Sequence, residues 1–503
     1  MEALFSLLYG FGIALQPINL LYAFLGCLLG TLVGVLPGIG PSATIALLLP
    51  TTYYIPPVSG IIMLAGICYG AMYGGSTTSI LINTPGEPAS VVTCLDGYKM
   101  ARQGRAGPAL GIAAFGSFIA GTLSVVGLMF LAPLLSDLAI KFGPPEYFSL
   151  MVLAFCVVTY LAQGSMAKAW IMVGLGLIMG TVGMDPITSR GRFTYNILAF
   201  NDGLGLAVVM IGLFGVSEVL LNIGVTLRQE VFERNIKGIF PNRKDWRDSI
   251  LPITRGSLLG FFLGVLPGVG PILPTFASYV LEKKLSKYPQ KFGTGVIEGV
   301  AAPEAANNAA VVGTFIPMLS LGVPSSAMTA LLLGALMIYG LQPGPLLVRN
   351  SPDVFWGLVA SMYIANVMLL VLNLPLIWLW VKFLAISYSM LFSLILLFCL
   401  IGAYSINNNI VDIYVMIGSG VLGYLLRKFG YDPVPLVLAF VLGPIFEVAL
   451  RRSLIISQGN FSIFLSRPIS LGFLIAALII VFLPLVMKGK SFSDRLLVKQ
   501  AEV

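Results

Sequence analysis

The 503-residue sequence has no histidine, five cysteines and only 10% charged residues. Without histidine it lacks the commonest metal ligand and general base. Cys27, Cys68, Cys94, Cys156 and Cys399 lie apart in apolar stretches, with no CxxC or ligand spacing. Zinc hydrolases, haem proteins and iron–sulfur proteins are thereby excluded, and no resident cofactor is expected. The shortage of charge excludes a soluble enzyme, because soluble domains carry about a quarter of their residues as Asp, Glu, Lys and Arg. The net charge of +8 rests on 29 Lys and Arg that fall in short stretches between apolar runs. Membrane topology alone places them there, so no nucleic-acid partner is expected. The start, MEALFSLLYGFGIALQP, lacks the basic segment and cleavage site of a signal peptide, and no processing is expected.

What remains is strongly apolar: 57% hydrophobic residues and a mean hydropathy of +0.95. Apolar runs recur along the chain, each long enough to cross a hydrocarbon core of about 30 Å. The expected fold is an all-α polytopic membrane protein with roughly 12 transmembrane spans in the lipid bilayer. The 56 Gly and 31 Pro are scattered through those runs, so many helices are broken, kinked or closely packed. Such helices suit a carrier better than a set of simple anchors.

The chain also repeats itself. GVLPGIGP at 34–41 returns as GVLPGVGP at 264–271, identical at seven of eight positions. Downstream, TPGEPAS at 84–90 precedes GRAGP at 104–108, while LGVPSSA at 321–327 precedes GLQPGP at 340–345. Chance accounts for one Gly/Pro motif in so Gly-rich a chain, but poorly for an ordered pair.

Equivalent loops differ in charge. PTTYYIPP (50–57) has none where EKKLSKYPQK (282–291) has four lysines, and GYKMARQGRAG (97–107) carries Lys99, Arg102 and Arg105 where YGLQPGP (339–345) carries none. By the positive-inside rule the two repeats have inverted topology. Spans near 109–135, 146–163, 167–184 and 204–226 then return the chain to the cytoplasm at 228–248. Those near 354–381, 386–404, 411–426, 434–448 and 469–487 leave the C-terminus inside. This arrangement puts 22 of the 29 Lys and Arg on the cytoplasmic side, and the N-terminus, with none before Lys99, outside. The expected division is a first repeat (1–227, motif block 26–111), a cytoplasmic linker (228–249), a second repeat (250–450, motif block 256–345) and a final span with a basic tail (451–503).

Each octapeptide puts two Pro and three Gly within eight residues at membrane depth, so the helix breaks there. A break frees backbone N–H groups at the start of the next half-helix, a site for an anion such as a carboxylate, with Ser42 and Thr44 as further donors. The alternative is that Gly and Pro merely kink packed helices. The segments YGGSTTSILINTPGEPAS and APEAANNAAVVGTFIPMLSLGVPSSA each read as two short helices meeting at a tip. Their hydroxyls either bind substrate or glue helices together. The substrate candidates are Gly38, Gly40, Ser42, Ser76, Thr77, Thr78, Asn83, Thr84 and Gly86 in repeat one, and Gly268, Gly270, Asn307, Asn308, Ser325 and Ser326 in repeat two. The intramembrane carboxylates Glu298 and Glu304 are candidates for coupling to Na+ or H+. Glu298 has the alternative of pairing with Lys287 or Lys291, and Glu87 that of accepting N–H bonds at its turn.

GTLVGVLPGIGPSATIALLLP, YGAMYGGSTTSILINTPGEPASVVTCLDGYKMARQGRAGPALG and GVIEGVAAPEAANNAAVVGTFIPMLSLGVPSSAMTALLLGALMIYGLQPGP resemble the large membrane subunit of the bacterial tripartite tricarboxylate transporters. The resemblance is specific over 26–111 and 256–345. It implies a secondary active importer of citrate or another carboxylate, driven by a cation gradient, in the bacterial inner membrane with a periplasmic N-terminus and a cytoplasmic C-terminus. It also implies two partners: a small membrane subunit of about four helices and a periplasmic substrate-binding protein. Which carboxylate is carried stays open, since members handle tricarboxylates, dicarboxylates and aromatic acids. The rival is a stand-alone carrier for a different small solute. A channel or an intramembrane enzyme fits less well, because paired breaks suit alternating access and no paired acidic motif or Ser-Lys arrangement is present.

Overall fold

The computed structural model describes residues 2–36, 40–162, 165–222, 236, 238–383 and 388–486, and these are almost entirely helical. The first half comprises α1 (Glu2–Ala14), α2 (Pro17–Val35), α3 (Pro41–Thr52), α4 (Pro57–Ile82), α5 (Val91–Arg102) and α6 (Ala106–Ala139). It continues through α7 (Pro144–Leu161), α8 (Met166–Gly180), α9 (Leu206–Met210) and α10 (Ser217–Asn222), the last two joined by a π-helical stretch, Ile211–Val216. A two-stranded hairpin, Gly183–Met184 against Gly191–Arg192, follows α8. The second half comprises α11 (Arg243–Gly264), α12 (Ile272–Leu285), α13 (Glu298–Leu321), α14 (Ala327–Ile338), α15 (Leu347–Asn350) and α16 (Pro352–Asn373). It ends with α17 (Ile377–Phe383), α18 (Tyr388–Asn407), α19 (Ile410–Lys428), α20 (Pro433–Ile456), α21 (Ile463–Ser466) and α22 (Pro468–Val486).

Seven of these helices are long and apolar enough to cross a membrane, and six shorter apolar ones accompany them. The chain is a multi-pass membrane protein. Its flanks are broadly apolar, with Phe5 and Leu8 on α1, Phe130 and Leu134 on α6, Phe398 on α18 and Phe482 on α22 all exposed, as lipid-facing side chains are.

Small residues set the closest packing. On α2, an added Cβ at Gly26, Gly30 or Gly34 would lie 2.2–2.5 Å from the carbonyl oxygens of Met63, Ile67 and Ala71 on α4. On α11, Gly256, Gly260 and Gly264 stand equally close, at 2.3–2.4 Å, to the carbonyls of Ala302, Ala306 and Ala310 on α13. Gly34 and Gly264 each open an octapeptide, so the two stripes occupy equivalent places in the repeat. Helices of membrane proteins associate chiefly through such close backbone approach. The packing is reciprocal as well: α13 lies on α6 and α4 on α16, while α8 lies on α20 and α19 on the π-helical stretch.

The breaks fall where the octapeptides predict. Helix α2 ends at Val35 before α3 starts at Pro41, and α11 ends at Gly264 before α12 starts at Ile272. The tips differ from expectation in one respect. Their first arms are not short: α4 runs unbroken for 26 residues and α13 for 24, and only the second arms, α5 and α14, are short at 12 residues each. The glycines of α4 serve close packing instead of breaking it, since a Cβ at Gly70 or Gly74 would meet backbone atoms of α2 at 2.3–2.5 Å.

Candidate functional site

Both tips are built on one plan. Helix α4 closes on Asn83 in the left-handed conformation (φ 55°), and α13 closes on Gly322 likewise (φ 71°). Each cap is followed two residues on by a proline, Pro85 or Pro324, which prevents the helix from continuing. Glu87 then caps the next turn, with Ser90 as its capping-box partner, and Ser326 caps α14 with Thr329 in that role. A carboxylate thus stands in the first tip where a hydroxyl stands in the second.

Each tip also meets the break of its own half. A Cβ at Gly86 would sit 1.8 Å from the Gly34 carbonyl oxygen, so only glycine fits there. Thr78 Oγ1 donates to the Val35 carbonyl at 2.9 Å, tying α4 to the end of α2. In the second half the Gly268 N–H donates to the Ser325 carbonyl at 3.1 Å, and Gly268 (φ 80°) and Gly270 (φ 55°) both need the left-handed region. Ser325 Oγ is fully buried and has no hydrogen-bond partner among the described residues. Gly40 (φ 62°) is the N-cap of α3, and Thr44 Oγ1 turns back to its carbonyl at 3.1 Å. Ser42 is half-buried on the first turn of α3. Gly38 lies outside the described residues. Asn83 is exposed, and Thr84 bonds only locally, to the Ile82 carbonyl at 3.4 Å.

The halves are joined by a polar cluster deep in the protein. Glu304 on α13 is 1% exposed; its Oε2 accepts from Ser76 Oγ on α4 at 2.5 Å, and its Oε1 accepts from Thr93 Oγ1 on α5. Glu87 Oε2 accepts from the Ala89 N–H at 2.6 Å, as a turn-fixing carboxylate does, and its Oε1 accepts from Asn307 Nδ2 at 3.0 Å. Asn308 Nδ2 donates to Ser117 Oγ on α6 at 2.7 Å and to the Glu304 carbonyl at 3.1 Å. Ser79 Oγ holds the Ser90 carbonyl at 3.0 Å. Among the described residues neither Glu87 nor Glu304 forms an ion pair. A small cavity beside the cluster is lined by Tyr73, Ser76, Thr77, Ser117 and Asn373 with three apolar side chains of α6.

Ser76, Glu304, Asn307 and Asn308 are therefore brought together, whereas Glu298 stands apart at the start of α13 and pairs with no lysine among the described residues. Ser325 and Ser326 belong to the second tip, away from this cluster. Sequence reasoning missed Thr93, Ser117, Tyr73, Asn373 and Asp96. Asp96 is fully buried, and its carboxylate takes N–H bonds from Gly293, Gly295 and Val296 at 2.8–3.0 Å and the Tyr279 hydroxyl at 2.8 Å. It clamps α5 to the connection between α12 and α13. Nearby, Gln103 Nε2 reaches the Thr294 carbonyl at 2.7 Å, and Arg105 pairs with Asp245 at 2.5 Å. The position of Asp96, one turn after Thr93 on a short helix, was its only signal.

Residues 20–438 match the model of the tripartite tricarboxylate transporter TctA family. An uncharacterized 52.8 kDa protein from the TAR-I ttuC' 3' region of Agrobacterium vitis is 49% identical over 500 residues, covering 99% of this chain and 100% of that one. A second uncharacterized protein of Agrobacterium vitis, from the TAR-II ttuC' 3' region, is 51% identical over 240 residues, 48% of this chain and 99% of that one. No solved structure matches.

Proposed function

Because this chain belongs to the tripartite tricarboxylate transporter TctA family, we propose that it is the permease of a binding-protein-dependent importer, carrying citrate or another carboxylate inward on a Na+ or H+ gradient. The family is one of transporters that work with partner subunits. The partners proposed here are a small membrane subunit of about four helices and a periplasmic substrate-binding protein. The location is the bacterial inner membrane, with the N-terminus periplasmic and the C-terminus cytoplasmic.

The observation that carries this reading is the buried cluster around Glu304, Glu87 and Asn307, which joins the tip of one half to a helix of the other. Of its two carboxylates Glu87 also fixes a turn, whereas Glu304 caps nothing and meets only the hydroxyls of Ser76 and Thr93, a cost at such depth that a coupling site explains. In this reading the two halves are inverted repeats, each contributing a break and a tip, and substrate carboxylates lie at the two breaks, near Gly40 and Gly270, with the hydroxyls of Ser42 and Ser325 as donors. Movement of one bundle against the other exposes them alternately to the two sides.

The test is uptake of labelled citrate, then of a panel of dicarboxylates and aromatic acids, into vesicles with and without the two partners, under imposed Na+ or H+ gradients. Gradient-dependent uptake that needs all three proteins is expected. Full uptake by this chain alone would overturn the tripartite reading in favour of a stand-alone carrier.

A further inference from the structure

The Glu304 cluster is built from hydrogen-bond donors. All four oxygens of Glu304 and Glu87 already accept one: Thr93 and Ser76 on the first, Asn307 and the Ala89 N–H on the second. Among the described residues no group of three or more His, Cys, Asp or Glu is placed to hold a metal ion. Each carboxylate oxygen thus meets an N–H or O–H donor, an arrangement in which a carboxyl can exchange a proton within the bonds it already makes.

The charge balance points the same way. Among the described residues, Tyr73 on α4, Glu87 just before α5 and Cys94 on α5 are the titratable groups facing Glu304. On the other elements packed against α13, Arg255 pairs with Glu282, Tyr279 bonds to Asp96 and Arg349 pairs with Asp137, so none of these three serves Glu304 or Glu87. Two buried carboxylates without a basic partner cannot both stay ionised at reasonable cost, and one proton removes one of the charges.

Ser76 makes that proton easy to carry. Its Oγ lies 2.5 Å from Glu304 Oε2 and 3.1 Å from the Met72 carbonyl. With Glu304 ionised, the hydroxyl donates to the carboxylate. With Glu304 protonated, the new O–H donates to Ser76 Oγ and the serine hydrogen turns to Met72, so every group keeps a partner in both states. Ser76 also lines the small cavity between α4, α6 and α16, where Tyr73 Oη and Asn373 Oδ1 have no partner among the described residues. The recess has room for about one water, placed beside Ser76 where it can hand on a proton.

We propose that the coupling ion is a proton, bound on Glu304 and passed through Ser76 from this cavity; this rests on the carrier reading above. In each cycle a proton from the outer water forms the Glu304 O–H, travels with the substrate carboxylate, and is released to cytoplasmic water, which restores the carboxylate.

The experiment reconstitutes the full chain with its partners in Na+-free proteoliposomes holding a pH-sensitive dye, and follows labelled carboxylate and internal pH together. Substrate-dependent acidification is expected for the wild type. S76A should slow it about tenfold or more, S76T should restore most of it, and E304Q should abolish it. A protonated-carboxyl infrared band lost in E304Q gives a second readout that does not depend on turnover. Uptake that requires Na+ and brings no acidification would overturn the proton assignment while leaving the carrier reading intact. Absence of uptake for every carboxylate under either gradient would overturn the carrier reading and this inference with it.

Discussion

Asp96 shows what one side chain contributes when its partners come from a distant stretch of chain. Its carboxylate, fully buried, gathers three partly buried backbone N–H groups from the α12–α13 connection and the buried hydroxyl of Tyr279 on α12. Removing the acceptor leaves the buried Tyr279 hydroxyl unpaired, at about 1–3 kcal/mol for a buried group, and unties the partly buried N–H groups of the connection. D96A should therefore lose most of its folded protein in detergent, as read by fluorescence-detected size exclusion, and D96N, which keeps one acceptor oxygen, should lose less. Equal, wild-type yields for both would contradict the clamp. Gly268 makes a complementary prediction. Its φ of 80° and the 2.5 Å approach of Val158 to an added Cβ leave no room for a side chain. G268V should insert in the membrane yet lose carboxylate uptake, and uptake at the wild-type rate would sink the role given to the second break. The sequence already marked Gly268, because an octapeptide of Gly and Pro at membrane depth has few uses. It did not mark Thr93 or Ser117. Each is a lone hydroxyl among apolar neighbours whose partner lies about two hundred residues away, at Glu304 and Asn308 respectively.

Between helices, the two glycine stripes carry the argument. Because α2 lies on α4 and α11 on α13 through backbone contact, a larger side chain forces the pair apart. G30L and G260L should each lower thermal stability, by about 1–3 kcal/mol or more, while G12A and G174A, where an added Cβ meets nothing, should be neutral. A thermal-shift series on the four variants checks this, and equal melting temperatures would contradict it. The same stripes explain why the tips were only half legible. The segment from Tyr73 read as two short helices, but Gly70 and Gly74 are part of the face of α4 that lets α2 approach, and the first arm stays whole. The hairpin after α8 is fixed differently. Arg451 and the N–H groups of Ile187 and Thr188 hold the Asp185 carboxyl well below the usual carboxylate range, and Arg192 and Glu447 complete the network. A carboxyl held low stabilises the fold above its unfolded value, near 3.8, and that support is lost as pH falls through and below it. Stability should therefore decline on acidification below about pH 4 in the wild type, and less steeply in D185N. Parallel acid-unfolding curves for the two would show that the network contributes nothing.

At the scale of the molecule, one plan appears twice: a glycine stripe, a break, a long helix, a left-handed cap, a proline and a capped short helix. The two breaks were legible because backbone geometry of this kind is written with Gly and Pro at fixed offsets. What differs between the halves is chemical. Glu87 in one tip answers to Ser326 in the other, and Glu304 on α13 is held by Ser76 from α4. On the function proposed above, two similar units serve alternating access and Glu304 serves coupling. The central claim is that the units face opposite sides of the membrane. It is tested most directly with single cysteines at Tyr54 and Lys287, both exposed in the loops that follow the two octapeptides. The background is a chain with its five native cysteines replaced. A membrane-impermeant thiol reagent applied to whole cells should label the cysteine at Tyr54 and reach that at Lys287 only after the membrane is opened; labelling of both from the same side would contradict the inverted architecture.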